Sequence, residues 1–193
     1  MKNFLKVFIL AAGLVLCFNA NSFANFSLGG WVGYASTEID VVGHDESFEC
    51  TGPQFGLKAH YNIAISETFD LGIGAYFRYS KYSGSIDMYD PWMGPMSFDV
   101  DFTRQSIGAD INLIYQVAEG FYPYARFAYS FSDKFDMGDE SESGSGWGIG
   151  AGVEYDLNPT IILFGEIMYE SSSLDGLDAT SIAFNIGAKF NLF

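Results

Sequence analysis

From Phe69 the chain alternates: Phe69, Leu71, Ile73, Ala75, Phe77 and Tyr79 stand against Asp70, Gly72, Gly74, Tyr76, Arg78 and Ser80. A period of two puts the first set on one face of a strand and the second on the other, whereas an amphipathic helix would repeat at 3.6. Phe55, Leu57, Ala59 and Tyr61 divide in the same way from Gln54, Gly56, Lys58 and His60. So do Trp147, Ile149, Ala151, Val153 and Tyr155 from Gly148, Gly150, Gly152, Glu154 and Asp156. The pattern predicts eight strands, at 25–36, 52–62, 68–80, 98–115, 121–132, 146–156, 160–172 and 180–193. Their connections alternate in length. Short turns are expected around Ile63–Glu67, Gln116–Gly120 and Leu157–Pro159, and longer links at 37–51, 81–97, 133–145 and 173–179. An eight-stranded antiparallel up-and-down barrel with one short-turn rim and one long-loop rim gives this alternation. An even strand number places both ends on one rim.

The greasy face decides between a membrane barrel and a soluble one. The predicted strands hold only five basic residues, Lys58, Arg78, Arg104, Arg126 and Lys189. These lie on the polar face with Asp110, Glu154 and Glu166, and the apolar face carries no charge. A soluble lipocalin-like barrel has the reverse polarity, with an apolar cavity and a hydrated exterior. Hydrocarbon requires an uncharged outer face, because a mid-bilayer Arg or Lys on a barrel costs about 2–4 kcal/mol. Closure satisfies every backbone group where water is missing. Tyr34, Tyr61, Tyr79, Tyr115, Trp147, Tyr155 and Tyr169 fall near strand ends on the apolar face, as interfacial girdles require, although aromatic residues favour strands in any solvent.

Export is written at the start. Lys2 and Lys6 precede an apolar run from Val7 to Phe18, and Ser22-Phe23-Ala24 provides small residues for cleavage. The expected domains are a signal peptide at 1–24 and a barrel at 25–193. Leu16 before Cys17 fits a lipoprotein site poorly. Cleavage leaves 7 basic against 24 acidic residues, a formal charge of −17, which argues against nucleic acid as a partner. Cys50 is then the single cysteine and has no internal disulfide partner.

Gly146-Trp147-Gly148-Ile149-Gly150-Ala151-Gly152-Val153-Glu154-Tyr155, Tyr122-Pro123-Tyr124-Ala125-Arg126 and a final strand ending in Phe193 resemble the small outer-membrane barrel superfamily. That group includes the OmpA transmembrane domain, OmpX, OmpW and the Opa-type adhesins. The resemblance implies an outer-membrane location with both termini periplasmic, contact with outer-membrane lipid and lipopolysaccharide, and recognition of Phe193 by the barrel-assembly machinery. Phe193 departs from the lipid-facing parity of Ile182, Phe184, Ile186, Ala188, Phe190 and Leu192. In the fourth strand Phe98, Val100 and Phe102 share parity with Arg104, Asp110 and Asn112, which predicts a bulge or a projection beyond the membrane.

Eight strands leave a lumen that side chains just fill. Trp31, Tyr76, Tyr122, Tyr124, Phe164 and Met168 share the inward parity, and favour a plugged interior. Lys58, Arg78, Arg104, Asp110, Arg126, Glu154, Glu166 and Lys189 are expected there as a paired polar network, or alternatively as the lining of a narrow channel for ions or small solutes. The many alternate glycines are read as sparing space inside the barrel. Acids crowd the expected long loops: Glu38, Asp40, Asp45, Glu46 and Glu49; Asp87 and Asp90; Asp133, Asp136, Asp139, Glu140 and Glu142; Asp175 and Asp178. Only Lys81 and Lys134 oppose them, so any loop ligand should be cationic.

Neither a cofactor motif nor metal-ligand spacing appears, and Asp136–Glu142 lacks the pattern of a calcium loop. The remote alternative is a lipid-modifying barrel enzyme. It would draw on the two histidines, His60 on the inward face and His44 beside Asp45 and near Ser47, but acyl transfer needs an aligned nucleophile and base that this order does not supply. The leading expectation is a structural or surface-interaction protein.

Overall fold

The alternating segments become eight strands: β1 (Asn25–Val41), β2 (Ser47–Ala64), β3 (Phe69–Asp90), β4 (Gly94–Tyr115), β5 (Phe121–Met137), β6 (Glu140–Asp156), β7 (Ile161–Leu174) and β8 (Leu177–Asn191). Each pairs antiparallel with its sequence neighbours, and β8 returns to β1, closing the ring. The computed structural model describes residues 25–41, 47–90, 94–138, 140–174 and 176–192. The expected signal peptide, His44, Asp45, Glu46, Asp139, Asp175 and Phe193 lie outside the described residues.

The short-turn rim follows from local chemistry. Asn158 Oδ1 accepts from the backbone N–H groups of Thr160 and Ile161, both at 2.9 Å, and Ser66 Oγ accepts from Phe69 N at 3.1 Å. Such side-chain turns reverse a chain within a few residues. Gly120, at φ +75°, supplies the left-handed position between β4 and β5.

The opposite rim corrects the sequence expectation. Most of 37–51, 81–97, 133–145 and 173–179 is strand, leaving only 42–46, 91–93, 138–139 and 175–176 between strands. A membrane crossing takes about 9–11 residues, and these strands run from 14 to 22. The surplus continues the wall past the apolar belt. Glu38, Asp40, Glu49, Asp87, Asp90, Asp136, Glu140, Glu142 and Asp178 therefore ride on strands rather than on loops.

Outside, Leu57, Phe184 and Ile186 are 63%, 63% and 67% exposed, and Val32, Ile73, Ile111, Phe127, Ile149 and Ile167 continue the belt around the barrel. Its edges are aromatic. Phe69 packs on Tyr115 (ring centres 4.7 Å apart) near the terminal rim, and Phe55 on Tyr79 (5.3 Å) and Trp147 on Tyr169 (6.0 Å) toward the other. Leu57→Arg puts a charge in the middle of this belt. It is expected to lower unfolding stability in lipid vesicles by about 2–4 kcal/mol, read from denaturant titrations of tryptophan fluorescence.

Inside, large side chains lie over the glycines paired with them on the adjacent strand. A Cβ at Gly108, Gly152 or Gly187 would come within 2.6, 2.5 and 2.6 Å of the rings of Tyr76, Tyr124 and Phe164 respectively. Trp31 lies in the same way over Gly56. The lumen is filled because these rings enter the space that the glycines leave.

Candidate functional site

All eight polar residues expected in the lumen face it: Lys58, Arg78, Arg104, Asp110, Arg126, Glu154, Glu166 and Lys189 are buried. They fall into tiers along the barrel axis.

Nearest the terminal rim, Lys189 of β8 pairs with Glu154 of β6. Above it, Arg126 of β5 reaches two carboxylates. Its Nη1 donates to Glu166 Oε1 at 2.7 Å, and its Nη2 lies 2.6 Å from Asp110 Oδ2, a charge contact off the hydrogen-bond axis. Asp110 Oδ1 meets His60 Nε2 at 2.8 Å. Glu166 also accepts from Tyr124 OH at 2.8 Å and from Asn185 Nδ2 at 3.2 Å. Lys58 has no hydrogen-bond partner among the described residues, and its ammonium lies against the Phe164 ring, 3.2 Å from the centre. Aromatic faces attract cations, so the ring supplies part of what a carboxylate would.

The third tier joins four strands. Arg104 of β4 grips Asp133 of β5 with both arms of the guanidinium, Nε to Oδ1 at 2.9 Å and Nη2 to Oδ2 at 2.6 Å. Its Nη1 lies 3.4 Å from Glu170 of β7, which also pairs with Arg78 of β3. Ser106 and Ser172 donate to the Asp133 oxygens at 2.6 and 2.7 Å. Such fork-on-fork geometry fixes orientation as well as charge. Across the tiers, Lys58, Arg78, Arg104, Arg126 and Lys189 face Asp110, Asp133, Glu154, Glu166 and Glu170, so the buried charge of the described interior is balanced five against five.

Two members of the network are absent from the sequence expectation. Glu170 shares the inward parity of Glu166 and Met168 on β7, so extending that parity by one step identifies it. Asp133, expected in a surface loop, is corrected by the structure: it is fully buried. The cause is a bulge. Gly108 pairs with Ser130 and Ile107 with Ser132, leaving Phe131 extra in β5. Phe131 and Ser132 both face outward, and the inward set switches from Tyr124, Arg126, Ala128 and Ser130 to Asp133 and Phe135. Of the two expectations for β4, the bulge belongs instead to β5, while the projection holds, since β4 continues past its pairing with β5 up to Gly94. β4 itself keeps one inward parity from Phe102 through Arg104, Ser106 and Asp110 to Ile114.

Above the third tier the lumen ends in an apolar lid. Tyr82 stacks on Phe102 (4.8 Å between ring centres) and Phe102 on Phe135 (5.5 Å), with Ile39, Cys50, Leu174 and Ala179 around them. Burial, with Asp101 and Glu49 nearby, pushes the Cys50 thiol above its ordinary pKa. Toward the terminal rim the interior stays polar. Ser27 Oγ, Asn62 Oδ1 and Asn191 Oδ1 face that end without a partner among the described residues, a setting that suits water. Toward the long rim, Ser36, Glu38, Ser47, Glu49, Thr180 and Ser181 line an open cleft. His60, one of the two histidines on which a lipid-modifying reading would draw, is hydrogen-bonded to Asp110 inside the barrel, away from the outer face.

Residues 8–190 match the family described as the outer membrane protein beta-barrel domain. The chain belongs to that family. None of the curated proteins matches it by sequence. Among solved structures it is similar to Neisserial surface protein A, at 16% identity and a TM-score of 0.58, covering 88% of this chain and 99% of that one. It is likewise similar to OprG from Pseudomonas aeruginosa, at 13% identity and a TM-score of 0.53, covering 90% and 98%. At these identities the similarity shows the shared fold. This outer-membrane β-barrel protein thus crosses its bilayer with strands.

Proposed function

We propose that this barrel is a closed mount, which holds an acidic, strand-built platform at the cell surface for interaction with other molecules. The observation that carries the reading is the lid. Tyr82, Phe102 and Phe135, on three consecutive strands, stack inside the lumen above the Arg104–Asp133–Glu170–Arg78 tier and are almost wholly buried with Ile39, Cys50, Leu174 and Ala179, so an ion would have to part an apolar cluster and a charge-balanced network in succession. The extended rim bears Glu38, Asp40, Glu49, Asp99, Asp101 and Asp178, and the terminal rim is short and polar. This asymmetry supports an orientation with both termini in the periplasm and the long rim outside, where the bilayer ends and the strands continue.

Planar-bilayer recording on protein purified from outer membranes, with the barrel verified by heat-modifiable gel mobility, tests the closed state. The expected result is a silent membrane. Discrete, reproducible openings that change on replacing Arg126 or Glu166 would overturn it in favour of the narrow-channel alternative.

A further inference from the structure

β3 and β4 outrun their neighbours. Pairing of β2 with β3 stops at Cys50 and Gly84, and pairing of β4 with β5 stops at Thr103 and Asp136. The β3–β4 ladder continues through Ser85 and Asp99 to Asp90 and Gly94. Residues 85–90 and 94–102 thus form a two-stranded ribbon, and among the described residues no strand is paired with either outer edge. An isolated two-stranded ribbon is marginal in water, and a free edge presents a row of backbone donors and acceptors to any strand that arrives.

Composition says what kind of strand fits. Residues 82–102 contain Asp87, Asp90, Asp99 and Asp101 and no lysine or arginine. On β4, exposed Asp99 and Asp101 alternate with half-exposed Phe98 and partly buried Val100. A strand added along this edge would set its own alternate side chains beside one row or the other. Pro95 has no N–H to offer and bounds the usable stretch at one end. A second copy of this chain would bring its own aspartates against these, and like charges directly opposite are destabilising.

We propose that the free β4 edge at residues 97–102 is a docking site for an extended segment of another protein in which basic and apolar residues alternate. The basic side chains sit beside Asp99 and Asp101, the apolar ones beside Phe98 and Val100, and main-chain hydrogen bonds supply the register. This rests on the surface-interaction reading above and names its partner class.

The test uses protein from outer membranes in nonionic detergent, with a fluorescent ten-residue peptide of alternating lysine and valine as the probe. Expected are salt-sensitive binding, at least tenfold weaker binding of the same peptide interrupted by a central proline, and at least tenfold loss in the Asp99→Lys, Asp101→Lys double variant. Slower amide exchange at 97–102 in the wild-type complex locates the contact without any variant. Equal binding of the proline-interrupted peptide, protection elsewhere on the barrel, or no binding at all would overturn the docking site. Thiol labelling of Ser97→Cys on intact cells checks the underlying reading separately, since failure to label places the ribbon off the surface whatever the peptide does.

Discussion

Replacing Arg126 with methionine is expected to destabilise the folded barrel by about 3–5 kcal/mol, the usual cost of removing one partner from a buried ion pair. Arg126 is the single guanidinium between Asp110 and Glu166, and its removal leaves two carboxylates facing each other inside the wall. His60 and Tyr124 still reach one carboxylate each, so both acids keep a hydrogen bond while the guanidinium between them is gone and Lys58 is the cation left in the tier. Most of the cost comes from stranding two buried negative charges and little from the missing attraction itself, and that distinction can be measured. Adding Asp110→Asn and Glu166→Gln to Arg126→Met should recover at least half of the stability in urea titrations of protein in lipid vesicles. A destabilisation below about 1 kcal/mol, or a triple variant no better than the single one, would show that the middle tier does not hold these charges dry.

The belt, and the residues behind it, were legible for one reason. Where the outside is hydrocarbon, selection writes Leu57, Ile73, Ile149 or Phe184 at every second position, and the intervening residue must then face inward. The inward positions of Lys58, Arg78, Asp110, Arg126, Glu154, Glu166 and Lys189 follow from parity alone. Beyond the belt that signal fades. Glu38, Ser47, Ser83, Ser141 and Ser143 face water on the outside of real strands, so neither face is greasy and the segments read as loops. Backbone pairing, invisible in composition, holds these extensions. The partners of each charge were not legible either, because they depend on the stagger of one strand against the next. Asp110 finds His60 on β2 and Arg126 on β5, fifty and sixteen positions away in the chain, through the closed ladder.

The bulge at Phe131 makes a second, sharper prediction, because parity there can be shifted in either direction. Phe131 and Ser132 together oppose Ser145 of β6, between the pairs Ser130 with Gly146 and Asp133 with Gly144. Deleting Phe131 leaves Ser132 alone against Ser145 and makes the ladder regular, with Asp133 still inward. The barrel should fold with Arg104 paired, at a cost confined to reduced local twist and one missing lipid-side ring. Deleting Phe131 and Ser132 together instead sets Asp133 directly after Ser130 and drives Asp133 and Phe135 to the outside, since a slip of one residue reverses every side chain beyond it. Arg104 would then keep a single carboxylate, Glu170 at its long contact, beside the hydroxyls of Ser172 and Ser181, and the lid would be without the ring that stacks on Phe102. The double deletion is expected to destabilise by about 3–5 kcal/mol through the loss of the Asp133 carboxylate from Arg104; the single deletion should cost far less. Heat-modifiable mobility and urea titration rank the two variants, and equal destabilisation would mean that the third tier does not depend on the parity switch. The bulge is thus what allows one strand to face Arg126 toward the middle tier and Asp133 toward the upper one, seven positions apart on the same wall.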